Sequence, residues 1–510
     1  MKQVTTQACW FPPELLTQLD AMPGGRTPFI KRYQRNDKTL DVTFERLSKE
    51  ALQLVITFLR EKQAAVLEKR SVQEIAEALD QAAEKWLDPG YPPRQQAIEQ
   101  ISALTGFSPE MVAHSIDLEQ ISSRKPHLIQ ALINELGKLE YLDGFQPNAH
   151  LGGFTRAFGP GLVGAIFSSN IPALPHLEVM RAFLVKAACL GRVSAGEPIF
   201  LARYAQTLAE IDPEIASCLA VVYWEHDDLE SETLFLESIG YLVAYGSDKQ
   251  IHRLMSAKPP YLEATWHGHK LGFVYLPREA LTRQRIHELA DRVSYDFSTF
   301  DGHACLCPQL CFVEKDGEVS PAEFARRCAT AMASWVKRLP PRQADLSEAA
   351  KKYSLRELYL MRQAEDEEIK VIAAPEDHSF MVVYERPAQF EPSPAERFLR
   401  LVPVDDLEDL ERFIKPLRHY LQCAGVAAVT RETTVTLRNR LAALGVLRIV
   451  PPGFMGTPSM MWHHDGVACL SKMLTWCDNE LALPKVLLTA NVERLMHAGE
   501  ASLMASPLQH

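Results

Sequence analysis

The chain has 510 residues, more than one hydrophobic core can serve, so two or three domains are expected. With 47% hydrophobic and 23% charged residues the composition is that of a globular protein. A formal net charge of −11 argues against general affinity for nucleic acid or acidic membranes, which needs a basic face.

The N-terminus, MKQVTTQACWFPPELL, lacks the apolar core of a secretory signal, and no apolar run is long enough for an integral membrane segment. The ten cysteines are scattered, which suits free thiols and a cytoplasmic location better than a disulfide framework.

Residues 1 to about 45 read as irregular and turn-rich. Residues 45–140 read as helical. FERLSKEALQLVITFLREKQ places Leu47, Ala51, Leu54, Phe58 and Leu59 at helical spacing. From about 150 strands and helices alternate: GLVGAIF, CLAVVYW and GYLVAYG are strands, and HLEVMRAFLVKAACL is a helix. That alternation predicts a parallel sheet covered on both faces. A second α/β segment starts near KLGFVYL and runs to about 445. In it LRLVPVDDLEDLERFIKPLRHYLQCAG reads as a strand and a long helix, with the acidic run at the helix N-terminus. The tail returns to loops and a late helix.

Three short stretches bear on chemistry. In GAIFSSNIPALP, Asn170 follows a buried strand. Its amide can donate to an oxyanion, or it can close a turn before proline. In AYGSDKQIHRL, Gly246 and Ser247 join a strand to a helix whose N-terminus can seat a phosphate, or they form a plain turn. In FDGHACLCPQL, Cys305 is a nucleophile, a metal ligand with Cys307, Cys311 and His303, or an inert buried thiol. C-x-C-x3-C does not match usual zinc spacing, even with the histidines of HGHK nearby, so no metal is expected.

The order of these pieces resembles the aldehyde dehydrogenase superfamily. By that resemblance Asn170 supplies the oxyanion hole, Gly246 and Ser247 lie beside the cofactor diphosphate, and Cys305 is the nucleophile, not Cys307. ACLCPQ, LVPVDDLEDLERFIKPLRHYLQCAGVA and WHHDG are similar to the acyl-CoA reductase family, typified by the reductase of the bacterial bioluminescence fatty-acid reductase complex.

The departures refine this. Superfamily members that oxidise aldehydes carry Glu-Leu-Gly-Gly-Lys, whose Glu activates the water that hydrolyses the acyl-enzyme. Here WHGHKLGF aligned on Lys270 puts Trp266 in that place, and Glu263 is out of register. A missing base points toward thioester reduction. The Lys-Pro-Ser-Glu stretch that holds the adenosine ribose corresponds to RVSA. Arg192 and Ser194 are then cofactor-binding, and Ala195 replaces the carboxylate, which favours NADPH. The Glu that binds the nicotinamide ribose has no clear counterpart, since Glu391 and Glu396 are both out of register. His464, in the His-Asp-Gly segment, is a candidate near the acyl or CoA channel, or a packing residue.

The expected fold is α/β and aldehyde-dehydrogenase-like, with two Rossmann-like lobes and a helical N-terminal region. The expected divisions are 1–144 (helical), 145–268 (nucleotide-binding), 269–445 (catalytic) and 446–510 (packing back or bridging subunits of a homo-oligomer). The resemblance implies NADPH-dependent reduction of a long-chain fatty acyl-CoA, or another acyl thioester, to the aldehyde, with an acyl-activating synthetase as possible partner. The alternatives are an NAD(P)-dependent aldehyde dehydrogenase and a non-catalytic acyl carrier or scaffold.

Overall fold

The computed structural model describes residues 4–35, 38–148, 153–374 and 378–480. The late helix expected in the tail, beyond residue 480, lies outside these.

The N-terminal region corrects the reading of residues 1–45 as irregular. Strands Arg26–Arg35 and Lys38–Leu47 pair antiparallel over ten residues, and Val4–Gln7 adds in parallel. Leu47 ends a strand and does not begin the helix. Ser48 caps the helix Lys49–Lys62 by accepting from Ala51 N–H, and Ser71 caps Val72–Leu87 in a reciprocal box with Glu74. Helices Pro92–Thr105, Pro109–Ser122 and Lys125–Leu136 follow, each with proline in its first turn. Trp10 bridges Val221, so this region is tied to the edge of the next sheet.

That sheet has five parallel strands in the order Glu263–His267, Tyr241–Tyr245, Leu162–Ile166, Ala188–Arg192, Leu219–Val222. The middle three are buried on both faces, as apolar runs without alternation require. Gly164 is obligatory there, because a Cβ would stand 2.4 Å from the Phe235 ring.

A seven-stranded sheet follows, in the order Lys370–Ala373, Met381–Tyr384, Phe398–Val404, Pro308–Glu314, Leu271–Leu276, Leu421–Val426, Arg448–Val450. Pairing is parallel except at the first pair. The helix expected after Phe398–Val404 is short, Leu407–Ile414, with Asp406 as N-cap. The end of that stretch, LQCAGV, is a fully buried strand instead. Strand Thr475–Asn479 of the tail pairs antiparallel with Gly153–Phe158.

Candidate active site

In the five-stranded sheet the chain moves outward from Leu162–Ile166 in one direction, then crosses back to place Tyr241–Tyr245 on its other side. Such a reversal opens a crevice at the carboxyl ends of the two strands. Asn170 leaves one of these ends, and Gly246 and Ser247 leave the other. Ser247 caps the helix Asp248–Ala257, accepting from Gln250 N–H at 3.3 Å.

The seven-stranded sheet answers from the amino ends of its strands. Helix Ile286–Ser298 ends in a tight loop whose residues Phe300, Asp301 and Gly302 all have left-handed backbone, with φ of 51°, 50° and 81°. Glycine is needed at the last position, because a Cβ there would also crowd Ala395. Cys305 follows, just before strand Pro308–Glu314. The Asn170 amide reaches across and donates to the carbonyl of His303 at 3.3 Å, and its oxygen accepts from Ser168 Oγ at 2.6 Å. Asn170, Gly246, Ser247 and Cys305 line one cavity of about 1090 Å³.

Cys305 is partly exposed at the cavity wall. Burial pushes its thiol up to about 12, the Asp465 charge adds to this, and the Gln422 side chain opposes it. Cys307 points away, donating to Thr299 O at 3.2 Å, and Cys311 lies in the core.

Arg192 and Ser194 line the same cavity. Arg192 is buried and is not a solvated surface charge. Its Nη2 donates to Trp224 O at 2.8 Å, while Nε has no partner. Burial weighs against its charge and shifts its pKa down, although Tyr223, Glu232 and Glu225 favour the charge. Ser194 Oγ accepts from Gly196 N–H at 3.3 Å.

A family model described as acyl-CoA reductase (LuxC) matches residues 67–476. The chain belongs to the acyl-CoA reductase (LuxC) family. It is therefore an oxidoreductase. Among its relatives, the long-chain acyl-protein thioester reductase of Vibrio harveyi is 23% identical over 417 residues, 80% of this chain and 83% of that one. The protein of the same name from Photorhabdus luminescens is 24% identical over 403 residues, 78% and 80% of the two chains. The fold is aldehyde-dehydrogenase-like. KauB from Pseudomonas aeruginosa superposes with a TM-score of 0.67 at 13% identity, over 89% of this chain and 93% of that one. Aldehyde dehydrogenase C from Pseudomonas syringae, solved with NAD+ and octanal, gives 0.65 at 12%, also over 89% and 93%.

In this LuxC-family chain the stretch aligned on Trp266 presents a different residue to the cavity that holds Cys305. Trp266 is absent from the cavity lining, and the next residue, His267, enters it instead. Adjacent residues on a strand face opposite ways, so one step of register exchanges them. Glu263 is exposed and is not among the lining residues. His267 Nδ1 lies 2.7 Å from Asp465 Oδ2, and Gln422 Nε2 donates to Asp465 Oδ1 at 2.5 Å. The rings of Tyr245, His267, His464 and Trp462 pack in successive contact, with centroids 4.4, 3.9 and 4.6 Å apart. His464 is buried among these rings and lines the cavity, whereas His463 is exposed. Burial, then the charges of His267, Arg181 and Lys270, push the His464 pKa well below its usual value.

The sequence reading missed Gln422. Its signal was a polar residue inside the otherwise apolar LQCAGV, which was taken as the end of a helix. Neither acidic candidate for the nicotinamide ribose lines the cavity. Glu391 pairs with Arg400. Burial pushes the Glu396 carboxyl up, but hydrogen bonds from His303, Lys352 and Arg342 outweigh this and hold it well below the usual range.

Among the described residues, His267, His464 and Asp465 are the group with metal-ligating atoms close together, within 4.8 Å. The rings are stacked face to face, so their in-plane lone pairs run side by side and do not converge on one ion.

Proposed function

We propose that this chain reduces a long-chain acyl thioester to the fatty aldehyde through an acyl-enzyme on Cys305, with NADPH as reductant. The observation that supports the reading is that Cys305, Asn170 and Arg192 all line a single cavity. The residues suit a reduced nicotinamide dinucleotide. Arg192 has a buried Nε without a partner, fit for a 2′-phosphate, and Ala195 presents no carboxylate to repel it. Ser194, Gly246 and Ser247, which line the same cavity, are the remaining proposed contacts. When bound, that cofactor supplies the hydride.

The chain's own residues do the rest. Cys305 attacks the thioester carbonyl and holds the acyl group as a new thioester. The Asn170 amide and the Cys305 backbone N–H stabilise the carbonyl oxygen whenever its carbon becomes tetrahedral, and such a donor contributes on the order of 3 kcal/mol. Cys305 then leaves as a thiolate when the reduced carbon collapses to aldehyde. The relatives' shared name favours a protein-borne acyl donor, as from an acyl-activating synthetase, alongside acyl-CoA. No helix among the described residues is long and apolar enough to cross a membrane, in line with the proposed cytoplasmic setting.

The deciding experiment follows NADPH consumption and the organic product over a chain-length series of acyl-CoA and acyl-protein donors. Long-chain aldehyde is expected. His267 gives the alternative of aldehyde oxidation a physical basis, because an imidazole can activate water. Carboxylic acid formed from aldehyde and an oxidised cofactor without any thiol acceptor establishes that alternative. No turnover of any thioester leaves the carrier or scaffold reading.

A further inference from the structure

The ring of His267 is fixed on several sides. Asp465 Oδ2 holds Nδ1 at 2.7 Å, and the rings of Tyr245 and His464 pack against the imidazole with centroids 4.4 and 3.9 Å away. A carboxylate at Nδ1 keeps the proton on that nitrogen and leaves the lone pair on Nε2. Asp465 has a left-handed backbone, φ 54°. A non-glycine residue keeps that conformation when its surroundings impose it, and such strain gathers at functional sites. Here Gln422 and His267 grip both carboxylate oxygens. Cys305, Gln422, Asp465 and His267 line the same cavity, and Asp465 and Gln422 both act on the Cys305 thiol.

We propose that His267, oriented by Asp465, is the proton relay for acyl transfer onto Cys305. This rests on the acyl-enzyme reading above. A thiol as strongly protonated as that of Cys305 needs an acceptor at the moment of attack. The S–H bond breaks and the proton passes to His267 Nε2, directly or through one water. The Cys305 sulfur bonds to the thioester carbonyl carbon, the donor's C–S bond breaks, and the donor sulfur takes the proton from Nε2. One thiol is consumed and one is released, without change of oxidation state. Asp465 is a positioning residue whose charge balances the transient imidazolium. His464 packs against the relay and does not compete for the proton, because it is held neutral. The other titratable groups around the ring are Lys270 on the following turn and Tyr245, whose hydroxyl donates to Glu178, which in turn pairs with Arg181.

The test measures free thiol released from an acyl-CoA by the full-length protein without reduced cofactor. His267→Ala should slow release about 100-fold, with partial rescue by added imidazole. Asp465→Asn should move the acidic limb of the rate–pH profile to lower pH, since the imidazolium loses its counter-charge. Wild-type rates in His267→Ala overturn the relay. So does a slow variant that imidazole does not rescue, together with an unmoved limb in Asp465→Asn. If wild type releases no thiol, or Cys305→Ala releases it as fast, the acyl-enzyme reading fails and the relay falls with it.

Discussion

Asp301 and Arg397 meet at 2.5 Å, each side chain 1% exposed. Asp301 lies in the left-handed run before Cys305, and Arg397 ends a second such run, Ala395 to Arg397. The other Asp301 oxygen accepts the Arg342 N–H at 2.5 Å, and Arg397 donates to Leu339 O at 2.6 Å. One buried carboxylate therefore ties three segments together beneath the nucleophile.

Breaking that pair leaves a buried charge without its partner, which costs about 3–5 kcal/mol. Asp301→Asn should lower the urea midpoint accordingly and slow acylation of Cys305, because the strained loop loses its clamp. An unchanged midpoint would show that the pair does not hold the loop.

Acyl-CoA without NADPH should leave an acyl group on Cys305, located by intact-mass measurement and peptide mapping. Cys305→Ala should abolish adduct and turnover, while Cys307→Ala and Cys311→Ala should keep most activity, since neither thiol lines the cavity. Asn170→Ala should turn over about 100-fold more slowly with cofactor binding intact. An adduct on Cys307 would place the nucleophile elsewhere.

Arg192→Ala should lose affinity for NADPH more than for NADH, because the group proposed to meet the 2′-phosphate is lost and NADH carries no such phosphate. Titration by cofactor fluorescence reads the ratio. Equal losses for both cofactors assign Arg192 to holding Trp224 O and nothing more.

Alkylation of Cys305 reports its ionisation. With the thiol pushed up to about 12, only about one molecule in 10⁴ is thiolate at pH 8. The rate with iodoacetamide should keep rising to pH 10 without a plateau. Asp465→Asn removes a charge that opposes the thiolate, so alkylation at pH 8 should become faster even as acyl transfer slows. A fall in both rates points to simple loss of structure.

The sequence by itself determined the local pieces. Buried strands such as GLVGAI and YLVAY were legible as unbroken apolar runs, the cap at Ser247 as a polar residue before a helical pattern, and the acidic run DDLEDLE as a helix N-terminus. Cys305, Asn170 and the Gly246–Ser247 turn stood out as candidates because their order along the chain resembles that of the aldehyde dehydrogenase superfamily, and the structure brings them to one cavity. Pairing partners were not legible. The hairpin 26–47 read as irregular because its stability comes from cross-strand bonds, not from any local period. Tertiary structure alone decided which side chain of Trp266 and His267 enters the cavity, since one residue of register exchanges the faces of a strand. It also brought Gln422 and Asp465 against Cys305 from segments more than a hundred residues away, which no spacing along the chain encodes.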